Sequence, residues 1–123
     1  MDKNINILVV DDFETMRRIV KTSLKKLGFL NVIEAEDGKI ALKKLEKEKI
    51  GLIISDWIMP NMTGIEFLRA VRSDDRFKDT PFIMLTTEGK KQDVIEAVNA
   101  GVSNYIVKPF NPDTLNEKIK KVL

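Results

Sequence analysis

The chain of 123 residues has no histidine and no cysteine, and it sets 21 Lys plus Arg against 19 Asp plus Glu. These absences exclude disulfides, thiolate chemistry, Ser-His and Cys-His nucleophile systems, and metals held by imidazole or thiolate. Any metal must be a hard cation held by oxygen, such as magnesium. A net charge of +2 argues for neither nucleic acid nor an anionic membrane as partner.

The length suits one domain spanning residues 1–123. The start, Met1-Asp2-Lys3-Asn4, is polar and lacks the apolar run of a signal peptide. No apolar stretch approaches the ~18 residues of a membrane span. A soluble, cytoplasmic, monomeric protein is expected.

In chain order, Ile5–Val10 is an apolar run broken only by Asn6, predicting a strand that ends in Asp11-Asp12. Met16, Ile19, Val20, Leu24 and Leu27 follow at helical spacing, and Gly28 ends the helix. Val32 and Ile33 suggest a short second strand. Asp37 caps a helix bearing Ala41, Leu42 and Leu45. Leu52–Asp56 reads as a strand buried on both faces, so its acid belongs at the end, where the strand leaves the core. Thr63-Gly64-Ile65-Glu66 is a capping box ahead of Phe67, Leu68 and Val71. A polar loop over 73–81 leads into the strand Phe82–Leu85, which closes on Thr86-Thr87. Val94, Ile95, Ala97 and Val98 fit a fourth helix ending near Gly101. Tyr105–Val107 is a last strand before Lys108-Pro109. Asn111-Pro112 opens a helix with Leu115, Ile119, Val122 and Leu123 on one side.

Five strands alternating with five helices predict an α/β fold: a doubly wound, parallel five-stranded sheet covered on both faces. All carboxyl ends of such a sheet share one edge, where ligands bind. Asp11 and Asp12, Asp56, Thr86 and Lys108 therefore converge. Taken singly, each has an ordinary reading: Asp11 and Asp12 as a helix cap, Asp56 as a turn aspartate, Lys108 as a surface lysine. Together they are three mutually repelling carboxylates that a divalent hard cation would reconcile, with an ammonium and a hydroxyl beside them. These parts stabilise a phosphoryl group in transfer, and with no histidine or cysteine present a carboxylate must be the nucleophile.

The residues that end the strands, with Val10-Asp11-Asp12-Phe13, Met16-Arg17-Arg18-Ile19-Val20, Glu34-Ala35-Glu36-Asp37-Gly38, Ser55-Asp56-Trp57, Met59-Pro60-Asn61-Met62 and Val107-Lys108-Pro109-Phe110, resemble the receiver domain of two-component response regulators along the whole chain. Trp57 and Tyr105 direct the resemblance to the CheY-like chemotaxis branch. It implies a flavodoxin-like (βα)5 fold of strand order 2-1-3-4-5, without an output domain. It implies a phosphoacceptor rather than an enzyme: Asp56 takes phosphate from a phosphohistidine of the chemotaxis kinase CheA. Magnesium is then held by Asp12, Asp56 and the backbone carbonyl of Ile58, with Asp11 acting through a water. Lys108 pairs with the phosphoryl oxygens, and Thr86 and Tyr105 form the switch. The implied partners are CheA, the flagellar motor switch protein FliM, which docks near Lys90, Lys91 and Lys118, and a phosphatase of the phosphorylated form. Ile58 and Thr87 depart from the residues usual beside the phosphoryl site, Asn and a small Ala. With Glu88 they mark the positions that control water and phosphatase access.

Two other readings remain at this point. One is a phosphorelay intermediate outside chemotaxis, which Trp57 and Tyr105 disfavour. The other is a flavodoxin-like cofactor binder or an Asp-nucleophile phosphatase. Carboxylates after the first strand would repel a flavin phosphate, and adjacent Asp11 and Asp12 on one strand are expected to point to opposite sides.

Overall fold

The computed structural model describes residues 2–87 and 91–123, the side chains of 91 and 92 excepted. Glu88, Lys90 and the Lys91 side chain, singled out above, lie outside the described residues. The elements are β1 (Ile7–Val10), α1 (Glu14–Lys26), β2 (Val32–Ala35), α2 (Gly38–Lys47), β3 (Leu52–Asp56), α3 (Gly64–Ser73), β4 (Phe82–Thr86), α4 (Lys91–Asn99), β5 (Asn104–Val107) and α5 (Pro112–Val122). The strands form one parallel sheet in the order β2-β1-β3-β4-β5, as expected. Among the described residues, no helix is long and apolar enough to cross a membrane.

Alternation along the strands divides the core in two. Leu8, Val10, Ile53, Phe82 and Met84 face one side and pack with Ala41 and Leu45 of α2, Phe67, Leu68 and Val71 of α3, and Ala97 of α4. Ile7, Val9, Leu52, Ile54, Ile83, Leu85 and Ile106 face the other and pack with Val20 and Leu24 of α1 and Leu115 and Ile119 of α5. With both faces of the central strands covered, a charged side chain is tolerated only where those strands stop, while the small Ser55 is accepted inside β3 by bonding its hydroxyl to the Asp56 carbonyl. The chain leaves β1 toward β2 on one side and returns to β3 on the other. This reversal opens a crevice at the carboxyl ends of β1 and β3.

Local signals set most helix starts. Asp37 Oδ1 accepts the Ile40 N–H at 2.9 Å, Asn111 Oδ1 accepts the Thr114 N–H at 2.8 Å, and both bonds of the Thr63–Glu66 capping box are made. Gly28, at φ +94°, ends α1. Some boundaries differ from the sequence reading. β1 starts at Ile7, not Ile5, and β2 runs on to Ala35 because β1 gives it four partners. Among the described side chains of α4 only Ala97 is fully buried, while Ile95 and Val98 are 48% and 59% exposed, so its apolar residues spread around the helix.

Candidate functional site

The site stands on four strand ends. Asp56 is the last residue of β3 and Thr86 the last of β4, 8% and 6% exposed. The ladder continues a step beyond the strands: the Trp57 N–H donates to Leu85 O at 3.0 Å and the Lys108 N–H to Thr86 O at 2.7 Å. Lys108 is thereby held beside β4, and its Nζ donates to Asp56 Oδ1 at 2.8 Å and lies 3.6 Å from Asp11 Oδ2. One oxygen each from Asp11, Asp12 and Asp56 lie within 4.8 Å of one another.

The charge in this cluster is unbalanced. Among the described residues, three carboxylates face one ammonium, and Asp11 Oδ2 and Asp12 Oδ1 are buried without a hydrogen-bond partner. Burial pushes the Asp11 carboxyl above its ordinary range. Asp56 and Asp12 push it further, against the Phe13 N–H and the Lys108 charge. Buried acceptors normally find donors, so two orphan oxygens beside a third carboxylate fit a hard divalent cation. The donor set, all oxygen, suits magnesium or calcium and not a softer metal.

Asp11 and Asp12 do not point to opposite sides, contrary to the strand expectation. β1 ends at Val10, so both lie in the turn beyond it, where pleating no longer dictates direction. Nor do they cap α1: its N-cap is Phe13, with no side-chain bond. Asp11 Oδ1 instead accepts the Phe13 N–H at 3.0 Å, a turn that aims Oδ2 at the cluster. Arg17, nearly buried, donates from Nη1 to Asp11 O at 2.7 Å and from Nε to Glu34 Oε1 at 3.1 Å.

A cleft of about 790 Å³ opens over the cluster, lined by Asp12, Asp56, Thr86 and Lys108, and by Phe13, Met16, Trp57, Ile58, Thr87 and Asp93. Ile58 and Phe13 are 73% and 67% exposed at its mouth, and Thr87 is exposed as well. The structure thus brings Asp11, Asp12, Asp56, Thr86, Lys108, Ile58 and Thr87 together. Tyr105 stands apart, paired with Met84 in the β4–β5 ladder, half-buried against the core, with Lys118 Nζ 5.7 Å from its ring centre. Phe13, Met16 and Asp93 were not singled out by the sequence. Met16 read as core, and nothing in helical spacing turns Asp93 of α4 toward the cleft.

Gly64 was also missed as more than a helix start. A Cβ there would overlap the carbonyl of Asp56 and lie 2.9 Å from Trp57 Cα. Its N–H donates to Trp57 O at 2.7 Å. The absence of a side chain lets α3 press against the backbone of the acid itself.

Residues 7–120 match the family described as the response regulator receiver domain. The chain belongs to that family. This receiver domain is 52% identical to a "Chemotaxis protein CheY" of Pseudomonas aeruginosa over 96% of the chain and 95% of that protein. It superposes on the chemotaxis response regulator CheY4 of Vibrio cholerae with a TM-score of 0.90 at 42% identity, covering 98% and 99% of the two chains. It also resembles the receiver domain of a sensor histidine kinase of P. aeruginosa, solved with a magnesium ion coordinated in its active-site cleft (TM-score 0.86, 25% identity, 97% and 98% covered). The receiver is CheY-like, a component of a two-component system, with an acidic cluster able to hold a metal.

Proposed function

We propose that this receiver is a phosphorylation-controlled switch in chemotaxis, with Asp56 as the phosphoacceptor. The observation that carries the reading is the Lys108–Asp56 contact of 2.8 Å inside a cluster with two orphan carboxylate oxygens. In the proposed step, a carboxylate oxygen of Asp56 attacks the phosphorus of a phosphohistidine on CheA. A P–O bond forms and the P–N bond breaks. Its electron pair leaves on the imidazole nitrogen, which accepts a proton, and Asp56 becomes an acyl phosphate. Lys108 is placed to exchange its Asp56 oxygen for the phosphoryl oxygens, meeting the charge that develops there. The Thr86 hydroxyl, buried at the end of β4, would donate to another.

Asp12, Asp56 and the Ile58 carbonyl would hold magnesium, with Asp11 acting through a water. When bound, the ion supplies the positive charge that lets acceptor and phosphoryl group approach. Reorientation of Thr86 and Tyr105 then biases the α4–β5–α5 face. Phosphorylation moves this equilibrium only by the difference in contact energy between its two states. That face exposes Ile95, Val98 and Val107 beside Lys118, a surface suited to a FliM segment with apolar and acidic groups. A phosphatase would reach Asp56 past Ile58 and Thr87.

Intact mass after acetyl phosphate treatment, with and without magnesium, tests the acceptor. One phosphoryl group should add only with the metal, and none to Asp56→Asn; uptake by that variant would overturn the assignment. Binding of a motor-switch peptide with and without a phosphoryl mimic tests the chemotaxis role. Equal affinity in both states would favour a phosphorelay intermediate.

A further inference from the structure

Between Asp56 and the cap Thr63 the chain runs through residues 57–62 without a strand or helix. This loop carries Ile58 at the mouth of the cleft. Its internal bonds, Met62 N–H to Pro60 O and Gly64 N–H to Trp57 O, both 2.7 Å, fold it on itself. A distant segment holds it in place. Asn61, at φ +69°, donates from Nδ2 to Asp37 Oδ2 at 3.1 Å. Met62 lies against Gly38 so closely that a Cβ there would come within 2.7 Å of its sulfur. Two residues before Asp37, the carbonyl of Ala35 accepts the Asp11 N–H at 3.1 Å. Residues 35–38 thus contact both the backbone of Asp11 and the loop that follows Asp56.

An N-cap needs only one oxygen, and Ser or Asn would serve. Asp37 is 8% exposed and uses both: Oδ1 caps α2 through Ile40, and Oδ2 takes Asn61. Capping alone does not account for the second bond, which Asn61 makes from the left-handed region, a conformation asparagine adopts more readily than most residues.

We propose that Asp37 and Asn61 are positioning residues, their hydrogen bond latching the β3–α3 loop to the start of α2 and so presetting the oxygens around Asp56 for a divalent cation. A loop ordered beforehand does not lose its freedom at the moment the cation binds. The inference rests on the reading of this cleft as a magnesium-dependent phosphoacceptor site.

Two substitutions isolate the latch. Asn61→Gly keeps the backbone angle and removes the amide; Asp37→Ser keeps the cap and cannot reach Asn61. Amide exchange at Met62 and Gly64 in the metal-free protein should quicken about tenfold in both, the order expected for one bond to a charged group, while β3 and β4 amides hold. Magnesium affinity, read by Trp57 fluorescence, should weaken by about the same factor. The double variant should bind no more weakly than either single one. Asp37→Asn, whose amide Asn61 can meet by turning its own, should recover most of the loss. Unchanged exchange and affinity in Asn61→Gly, or a double variant losing about a hundredfold as the product of independent effects, would overturn the latch. If the wild-type protein neither binds magnesium nor takes up phosphate, the reading of the cleft fails, and the metal-free exchange alone judges the latch.

Discussion

Replacing Asp12 by Asn removes one charge from the carboxylate cluster and almost no volume. The ligand oxygens lie within 4.8 Å of one another, so each charge pair repels by about 3.5 kcal/mol at an effective dielectric near 20 and about 0.9 kcal/mol in bulk water. Asp12 is more open than Asp11 or Asp56, which puts its two pairs toward the weaker value, and the loss of its attraction to Lys108 offsets part of the gain. Metal-free Asp12→Asn should therefore be more stable than wild type by about 1–2 kcal/mol, or roughly 3–8 °C in Tm for a domain of this size. Magnesium should reverse the order. At a hundred times its Kd, the ion stabilises the wild type by about 2.7 kcal/mol, and the variant, lacking one ligand, gains far less. Urea unfolding followed by far-ultraviolet circular dichroism, in chelator and in magnesium, measures both. A variant no more stable than wild type in chelator, or one with the full magnesium gain, would refute the electrostatic reasoning.

Lys108→Ala removes the ammonium that offsets two buried carboxylates; metal-free stability should fall by about 2 kcal/mol or more in chemical denaturation, and phosphate uptake from acetyl phosphate should slow. Gly64→Ala forces a methyl group into the Asp56 carbonyl and should cost about 1–3 kcal/mol, with weaker magnesium binding because the end of β3 must shift. Asp37, held below the ordinary carboxylate range by the Ile40 N–H and, more weakly, by Asn61, binds its proton less readily in the folded state. Its stabilisation should be complete above the unfolded value of 3.8 and vanish as pH falls through the lower folded one. Asp37→Asn should flatten the acid limb of a stability–pH curve in that window. Asp11 is raised and acts in the opposite sense: its ionisation costs metal-free stability as pH rises through its folded pKa.

Much of this molecule is local. A strand buried on both faces must be a continuous apolar run, so the first polar residue after it marks the sheet edge. Asp56 and Thr86 were legible for that reason, and Lys108 as the first charge after the short apolar run of the edge strand β5. Caps are equally local, and Asp37, Thr63 and Asn111 were placed by residues within three or four positions of each. Even the grouping of the strand ends needed only the alternation of strands and helices. What the sequence left open depends on segments far apart meeting at particular atoms. That Asp11 and Asp12 both turn an oxygen toward Asp56 depends on the turn after Val10, where strand alternation no longer sets direction. The second oxygen of Asp37 acquires a partner 24 residues away in Asn61. Gly64 matters because the Asp56 carbonyl, the Trp57 Cα and the Met84 sulfur lie where its side chain would be. Side-chain type and spacing determine which groups reach the edge of the sheet. Tertiary packing decides which of their oxygens face each other, and so where a cation could be held.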